Sequence, residues 1–135
     1  MIYSESFEAP SSKDIVKIFE PIFQDCKIKT GLSDETFYKL MVALTEGLNN
    51  ASCHGNCYDQ NKIIGVNIES DGEWINCTIR DEGEGFELEE IADPRHPENL
   101  LKESGRGVFL MKTLSDEFSA YKKDGFNFIE LKFKI

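Results

Sequence analysis

The sequence predicts an α/β (α+β) two-layer sandwich, with helices packed on one face of a mixed, mostly antiparallel sheet. Three features point to it: strand-like alternation at both ends and in the middle of the chain, two helical stretches set between the first and second strands, and short glycine turns that fold neighbouring strands into hairpins. With 135 residues, 40% of them hydrophobic and 11% aromatic, the chain can build one core, and residues 1–135 are read as a single domain.

Tyr3 to Phe7 alternates weakly and the pattern stops at Ala9-Pro10, as expected of a short strand at a sheet edge. Ser11 to Asp14 then offers caps for a helix that carries Ile15, Ile18, Phe19, Ile22 and Phe23 at three- and four-residue spacing, with Pro21 predicting a kink or a break. Ser33 caps a second helix, with Leu32 and Phe37 spaced as a hydrophobic staple across its start. Its apolar stripe is Phe37, Leu40, Met41, Leu44, Leu48 and Ala51, and the helix should fail near Gly55-Asn56. Lys62 to Glu69 and Trp74 to Arg80 form a hairpin across Ser70-Asp71-Gly72, with Trp74 read as half-buried packing. Residues 87–104 contain two prolines and little periodicity, and a loop of that length in a small domain is usually functional. Val108, Leu110, Met111 and Leu114 mark a third, short helix, and Glu117 to Lys122 and Phe126 to Ile135 close the chain as a second hairpin around Lys123-Asp124-Gly125.

Charge narrows the partners. Against 15 basic residues stand 25 acidic ones, a formal net charge of -10, which opposes non-specific binding to nucleic acid or to an anionic membrane. An anionic ligand must then be held by local devices: a helix N-terminus, backbone amides, a few basic side chains or a bound cation. The N-terminus has neither a basic n-region nor an apolar h-region, and no apolar run approaches the roughly 18 residues of a membrane span, so a cytoplasmic location is expected. Cys26, Cys53, Cys57 and Cys77 are expected to be free thiols.

Three segments carry chemistry. Glu46 and Asn50 stand one turn apart on the second helix, roughly opposite its apolar stripe, with His54 a turn further on. A carboxylate and an amide oxygen are hard ligands suited to Mg²⁺, and a carboxylate beside such a metal can act as a base; the same pair also fits a solvated helix face. Asp81 ends a strand and is followed by Gly83 and Gly85, which let the chain turn sharply and a flat ligand approach the backbone. As a pure acceptor, its carboxylate suits an exocyclic amine such as that of adenine. Gly105-Arg106-Gly107 opens the third helix, where free amides could meet phosphates with charge added by Arg106 and Lys102, although such a pair is also an ordinary cap. Neither a Walker P-loop nor a Rossmann fingerprint is present. Cys53-His54-x2-Cys57 could share a Zn²⁺ ion, but a closed structural site wants four ligands. His54 and His96 are given no catalytic role.

Taken together and in this order, the three segments resemble those of the anti-sigma-factor serine kinases of the Bergerat (GHKL) ATPase superfamily, which also includes histidine kinases, type II topoisomerases, Hsp90 and MutL. The resemblance covers nearly the whole chain. It implies a Bergerat-type sandwich in which Glu46 is the general base and Asn50 the Mg²⁺ ligand within Glu-x3-Asn-Ala. It implies further that Asp81 binds adenine, that Gly83 and Gly85 support its turn, and that Gly105, Arg106 and Gly107 lie beside the phosphates of ATP, with residues 87–104 as an ATP lid. In such kinases the substrate is a serine of an anti-anti-sigma (STAS-domain) protein, and the kinase also sequesters a sigma factor, usually as a homodimer. Some relatives carry a basic residue where this chain has Glu103, which would pass the γ-phosphate contact to Arg106. A sensor histidine kinase, which needs a helix-borne phosphoacceptor module, and a clamping ATPase, which needs extra domains, are not the readings expected of these 135 residues. The alternative to a kinase is a nucleotide-regulated module that sequesters a partner without phosphorylating it.

Overall fold

Alternating strands and amphipathic helices resolve into the elements β1 (Tyr3–Pro10), α1 (Ile15–Thr30), α2 (Asp34–Asn49) with a π-helical extension (Asn50–Gly55), β2 (Ile63–Ser70), β3 (Trp74–Asp81), α3 (Glu103–Leu114), β4 (Glu117–Lys123) and β5 (Phe126–Lys134). These come from a computed structural model that describes residues 3–83 and 103–135, with the side chains of His54 and residues 103–106 outside the description. The expected lid therefore lies almost wholly beyond it, as do Gly85, Lys102 and His96, while residues 103 and 104 already belong to α3.

The five strands are ordered β1-β2-β3-β5-β4, with β1 at one edge as the sequence implied. All four pairings are antiparallel, so the sheet is more uniform than the mixed one expected. Strand parity sets the two faces. Ile64, Val66 and Ile68 of β2, Ile75, Cys77 and Ile79 of β3, and Ile129, Leu131 and Phe133 of β5 are buried toward the helices. At about 1.5–3 kcal/mol for each large apolar side chain fully removed from water, this face supplies much of the folding drive. Two prolonged inward rows matter later, because the same parity that buries Ile79 buries Asp81, and the parity that buries Ile129 buries Asn127.

In α1 the buried positions are Ile15, Phe19, Phe23 and Cys26, whereas Ile18 is 45% exposed and lies off the stripe. Pro21 does not break the helix: it and Lys17, whose carbonyl loses its usual partner to the proline, are both on the exposed side, where water can serve that carbonyl. Gly31, at φ 68°, ends the helix in the left-handed conformation. Ser33 caps α2 as expected, accepting a hydrogen bond from Thr36 N–H at 3.2 Å. In the first hairpin, Asp71 Oδ1 accepts from the N–H groups of Glu73 and Trp74, both at 2.8 Å, which holds its carboxyl below the usual range. Asp124 and Gly125 close the second hairpin, both with positive φ, as in a type I′ turn. All four cysteines are free thiols. No helix among the described residues is long and apolar enough to cross a membrane.

Candidate functional site

The site assembles where the C-terminal end of α2, the end of β3 and the start of α3 converge. The one-turn spacing of Glu46 and Asn50 holds, since Asn50 N–H donates to the Glu46 carbonyl. The pair does not form the solvated helix face that its spacing also allowed: Glu46 is half-buried and Asn50 only 8% exposed. The reason is α3, which packs against α2 along a second seam. At Gly107 the fit is close, because a Cβ there would stand 3.0 Å from Glu46 Oε2. Gly105, Arg106 and Gly107 do not precede this helix but lie inside its first turns, counted from Glu103. Its first amides still lack intrahelical partners, so anion-binding capacity is kept.

Beyond Asn49 the helix widens. Asn56 N–H reaches back to Ala51 C=O at 2.8 Å, a five-residue step, and such π-turns are uncommon and concentrate at functional sites. The extra residue brings Gly55 against Asp81. A Cβ on Gly55 would meet the Asp81 carboxylate at 2.6 Å, and a Cβ on Gly83 would fall 1.7 Å from the Gly55 carbonyl oxygen. Backbone therefore lies on backbone here, and only glycine at both positions permits it.

Asp81 is 6% exposed and its Oδ1 accepts two hydrogen bonds, from Gly83 N–H at 2.8 Å and from the Asn127 amide at 2.9 Å. Burial pushes its carboxyl above the usual carboxylate range, opposed by Asn127, by the Gly83 amide and by the charge of Lys62. Asn127 also donates to Gly83 C=O, closing the turn from the β5 side. Beside it opens a cleft of about 560 Å³ lined by Gly83, Lys122, Lys123, Asp124, Gly125 and Asn127.

The residues present fit a purine nucleotide and a hard cation. With both described bonds ending on Oδ1, Asp81 Oδ2 remains as an acceptor for an exocyclic amine, and the glycine walls leave room for a flat ring. Among the described residues no group of three or more His, Cys, Asp or Glu could enclose a metal. Asn50 and Glu46 instead offer the one or two chain oxygens that suit Mg²⁺ when phosphates and water complete its shell.

The chain belongs to the histidine kinase-like ATPase domain family, which it matches over residues 10–133. It is similar to the serine-protein kinase RsbW of Staphylococcus epidermidis, 29% identical over 133 residues that cover 92% of this chain and 82% of the relative. It is also similar to RsbW of Oceanobacillus iheyensis, 29% identical over 116 residues covering 82% of this chain and 73% of that one. Among solved structures it resembles the RsbU and RsbW domains of Rv1364c from Mycobacterium tuberculosis, with a TM-score of 0.71 at 14% identity. That likeness covers 97% of this chain but only 32% of the other, and it concerns the fold.

Two site residues escaped the motif reading. Asn127 carries a signal, being the polar member of an inward row that continues as Ile129, Leu131 and Phe133. Asn56 looks in the sequence like a helix stop, yet it is fully buried. Two of its side-chain partners, Ser11 and Glu82, come from segments too distant in sequence for local pattern to link them.

Proposed function

We propose that this chain is a protein serine kinase that uses ATP with Mg²⁺, and that it works in the cytoplasm as an anti-sigma factor. Its substrate in this reading is a serine of an anti-anti-sigma (STAS-domain) protein, and its other partner a sigma factor bound by the homodimer. Residues 1–135 are taken as one ATPase domain, with residues 87–104 as its lid. The observation that carries the proposal is the buried Asp81 carboxylate, braced on one oxygen and walled by glycine. The named relatives, which are serine-protein kinases, support the choice of reaction.

Asp81 Oδ2 accepts the exocyclic amine of adenine while Gly83 and Gly85 shape the turn beneath the ring. At the start of α3 the amides still free of intrahelical partners, Gly105's among them, and the charge of Arg106 meet the phosphates, with Gly107 beside them. Asn50 supplies an oxygen to Mg²⁺, which when bound neutralises phosphate charge. Glu46, one turn earlier, accepts the proton of the serine hydroxyl.

Isothermal titration of ATP and ADP, with and without Mg²⁺, tests the site directly. Asp81→Asn is expected to weaken ATP binding by about 10-fold or more, since hydrogen bonds to charged groups contribute about 1.5–3 kcal/mol. Glu46→Ala is expected to lower phosphoryl transfer with less effect on binding. Unchanged affinity in the first variant would remove Asp81 from the base, and unchanged transfer in the second would remove Glu46 from proton transfer.

A further inference from the structure

Asn56 is 0% exposed, and every polar group it owns has a partner. Its N–H donates to Ala51 C=O at 2.8 Å and its carbonyl accepts from Asp59 N–H at 3.0 Å. Its side-chain amide donates to Ser11 Oγ at 2.5 Å and to Ile63 C=O at 3.3 Å. Its Oδ1 accepts the N–H of Glu82, the residue between Asp81 and Gly83, at 2.8 Å. A ring then closes, because the Glu82 carboxylate accepts from Ile63 N–H at 2.6 Å. One side chain thus ties together the end of the π-turn, the junction of β1 and α1, the first residue of β2 and the turn that carries Asp81.

Its cost is visible in the backbone. Cys57 and Tyr58, next in the chain, have φ of 52° and 57°, two consecutive non-glycine residues in the left-handed region. Tyr58 N–H donating to Ser52 C=O at 2.7 Å helps to hold them there. Ser52, itself 0% exposed, in turn donates to Ser12 C=O at 2.7 Å. Strain of this kind persists only where the surroundings over-determine it, and here they fix the inward aim of Asn56.

From this geometry we propose that Asn56 is a positioning residue for base selection. Through Glu82 N–H it grips one side of the Asp81 turn, as Asn127 grips the other, and so aims the free carboxylate oxygen at the exocyclic amine of the purine. The inference rests on the assignment of Asp81 to the base.

The test uses a ratio that overall stability does not move. Dissociation constants are measured for ATP and for purine riboside triphosphate, which keeps the ribose and phosphates but lacks the 6-amino group. In the unaltered protein ATP is expected to bind about 10- to 100-fold more tightly, and Asp81→Asn to collapse that preference. Asn56→Ala strands the Glu82 amide, and the preference is expected to fall by about threefold or more, mainly through weaker ATP binding. If Asn56→Ala does not fold, Asn56→Ser, whose side chain is shorter, replaces it. Ile68→Ala, a core deletion on β2 far along the chain from the turn, is the control: it lowers stability and should leave the ratio unchanged. A folded Asn56 variant with the full preference overturns the positioning role while leaving Asp81 in place. No preference in the unaltered protein, or one that survives Asp81→Asn, overturns the base assignment and the role of Asn56 with it.

Discussion

Replacing Gly107 by alanine sets helix stability against the placement of Glu46. Gly107 sits five residues into α3, where alanine is favoured over glycine by up to about 1 kcal/mol, equivalent to a rise of about 3–6 °C in Tm for a domain of this size. The new Cβ would stand 3.0 Å from Glu46 Oε2 and 3.9 Å from its Cδ, closer than carbon normally approaches oxygen. A carboxylate at the end of a flexible side chain relieves this by moving a few tenths of an ångström, so the fold should accept the change. The reaction should not accept it equally. Since a misplacement of about 1 Å can lower a rate on the order of 100-fold, the smaller shift is expected to slow phosphoryl transfer by about tenfold. Single-turnover transfer from labelled ATP to a serine-bearing partner, thermal melting and ATP titration read the three quantities separately. The expected pattern is an equal or higher Tm, ATP affinity within about threefold, and slowed transfer. A variant that is more stable and transfers at the unaltered rate would refute the placement of Glu46 at the reacting oxygen.

Two other outcomes follow from packing and charge. Gly47→Ala puts a Cβ 2.5 Å from Ile79 Cδ1 and 3.4 Å from Met111 Sδ, so despite its better helix propensity it should destabilise the protein by about 1–3 kcal/mol in urea unfolding. Asp81, raised by burial, binds more protons folded than unfolded between the ordinary aspartate value near 4 and its raised value. Its contribution to stability is therefore full below the ordinary value and is lost as pH rises through that window, while ATP affinity should rise over the same window as the carboxylate forms. Urea unfolding of the unaltered protein and of Asp81→Asn across that pH range checks the sign, since the slope assigned to Asp81 must vanish in the variant.

How much of this was legible in the sequence depends on the range of the interactions. The hairpins, the Ser33 cap and the helix stripes rest on neighbours a few residues apart, and local pattern was enough to find them. Ile18 shows the limit even there: its spacing fits an apolar stripe, but α1 meets the sheet along Ile15, Phe19, Phe23 and Cys26 and leaves it outside. What covers Glu46 lies beyond local pattern for the same reason, because a helical wheel drawn for α2 contains no α3. The π-turn has no clear local signature; it shows itself only where Gly55 must reach Asp81.

The polar residues that matter most break the pattern of the rows they occupy. Asp81 and Asn127 are Cα partners across β3 and β5, both on the inward face, at the end of a ladder otherwise filled by Ile79, Cys77, Ile129 and Leu131. Apolar residues at these two positions would bury as well without a desolvated charge to stabilise, so the fold alone gives no reason for the pair. Asn56 adds a third buried polar side chain beside two left-handed residues, again where an ordinary helix end would be less strained. Each of these features costs stability, and all converge on the turn from Asp81 to Gly83. A local concentration of unfavourable terms is what a preorganised binding site requires: the groups are already dehydrated and aimed, so little further ordering is left to oppose the ligand.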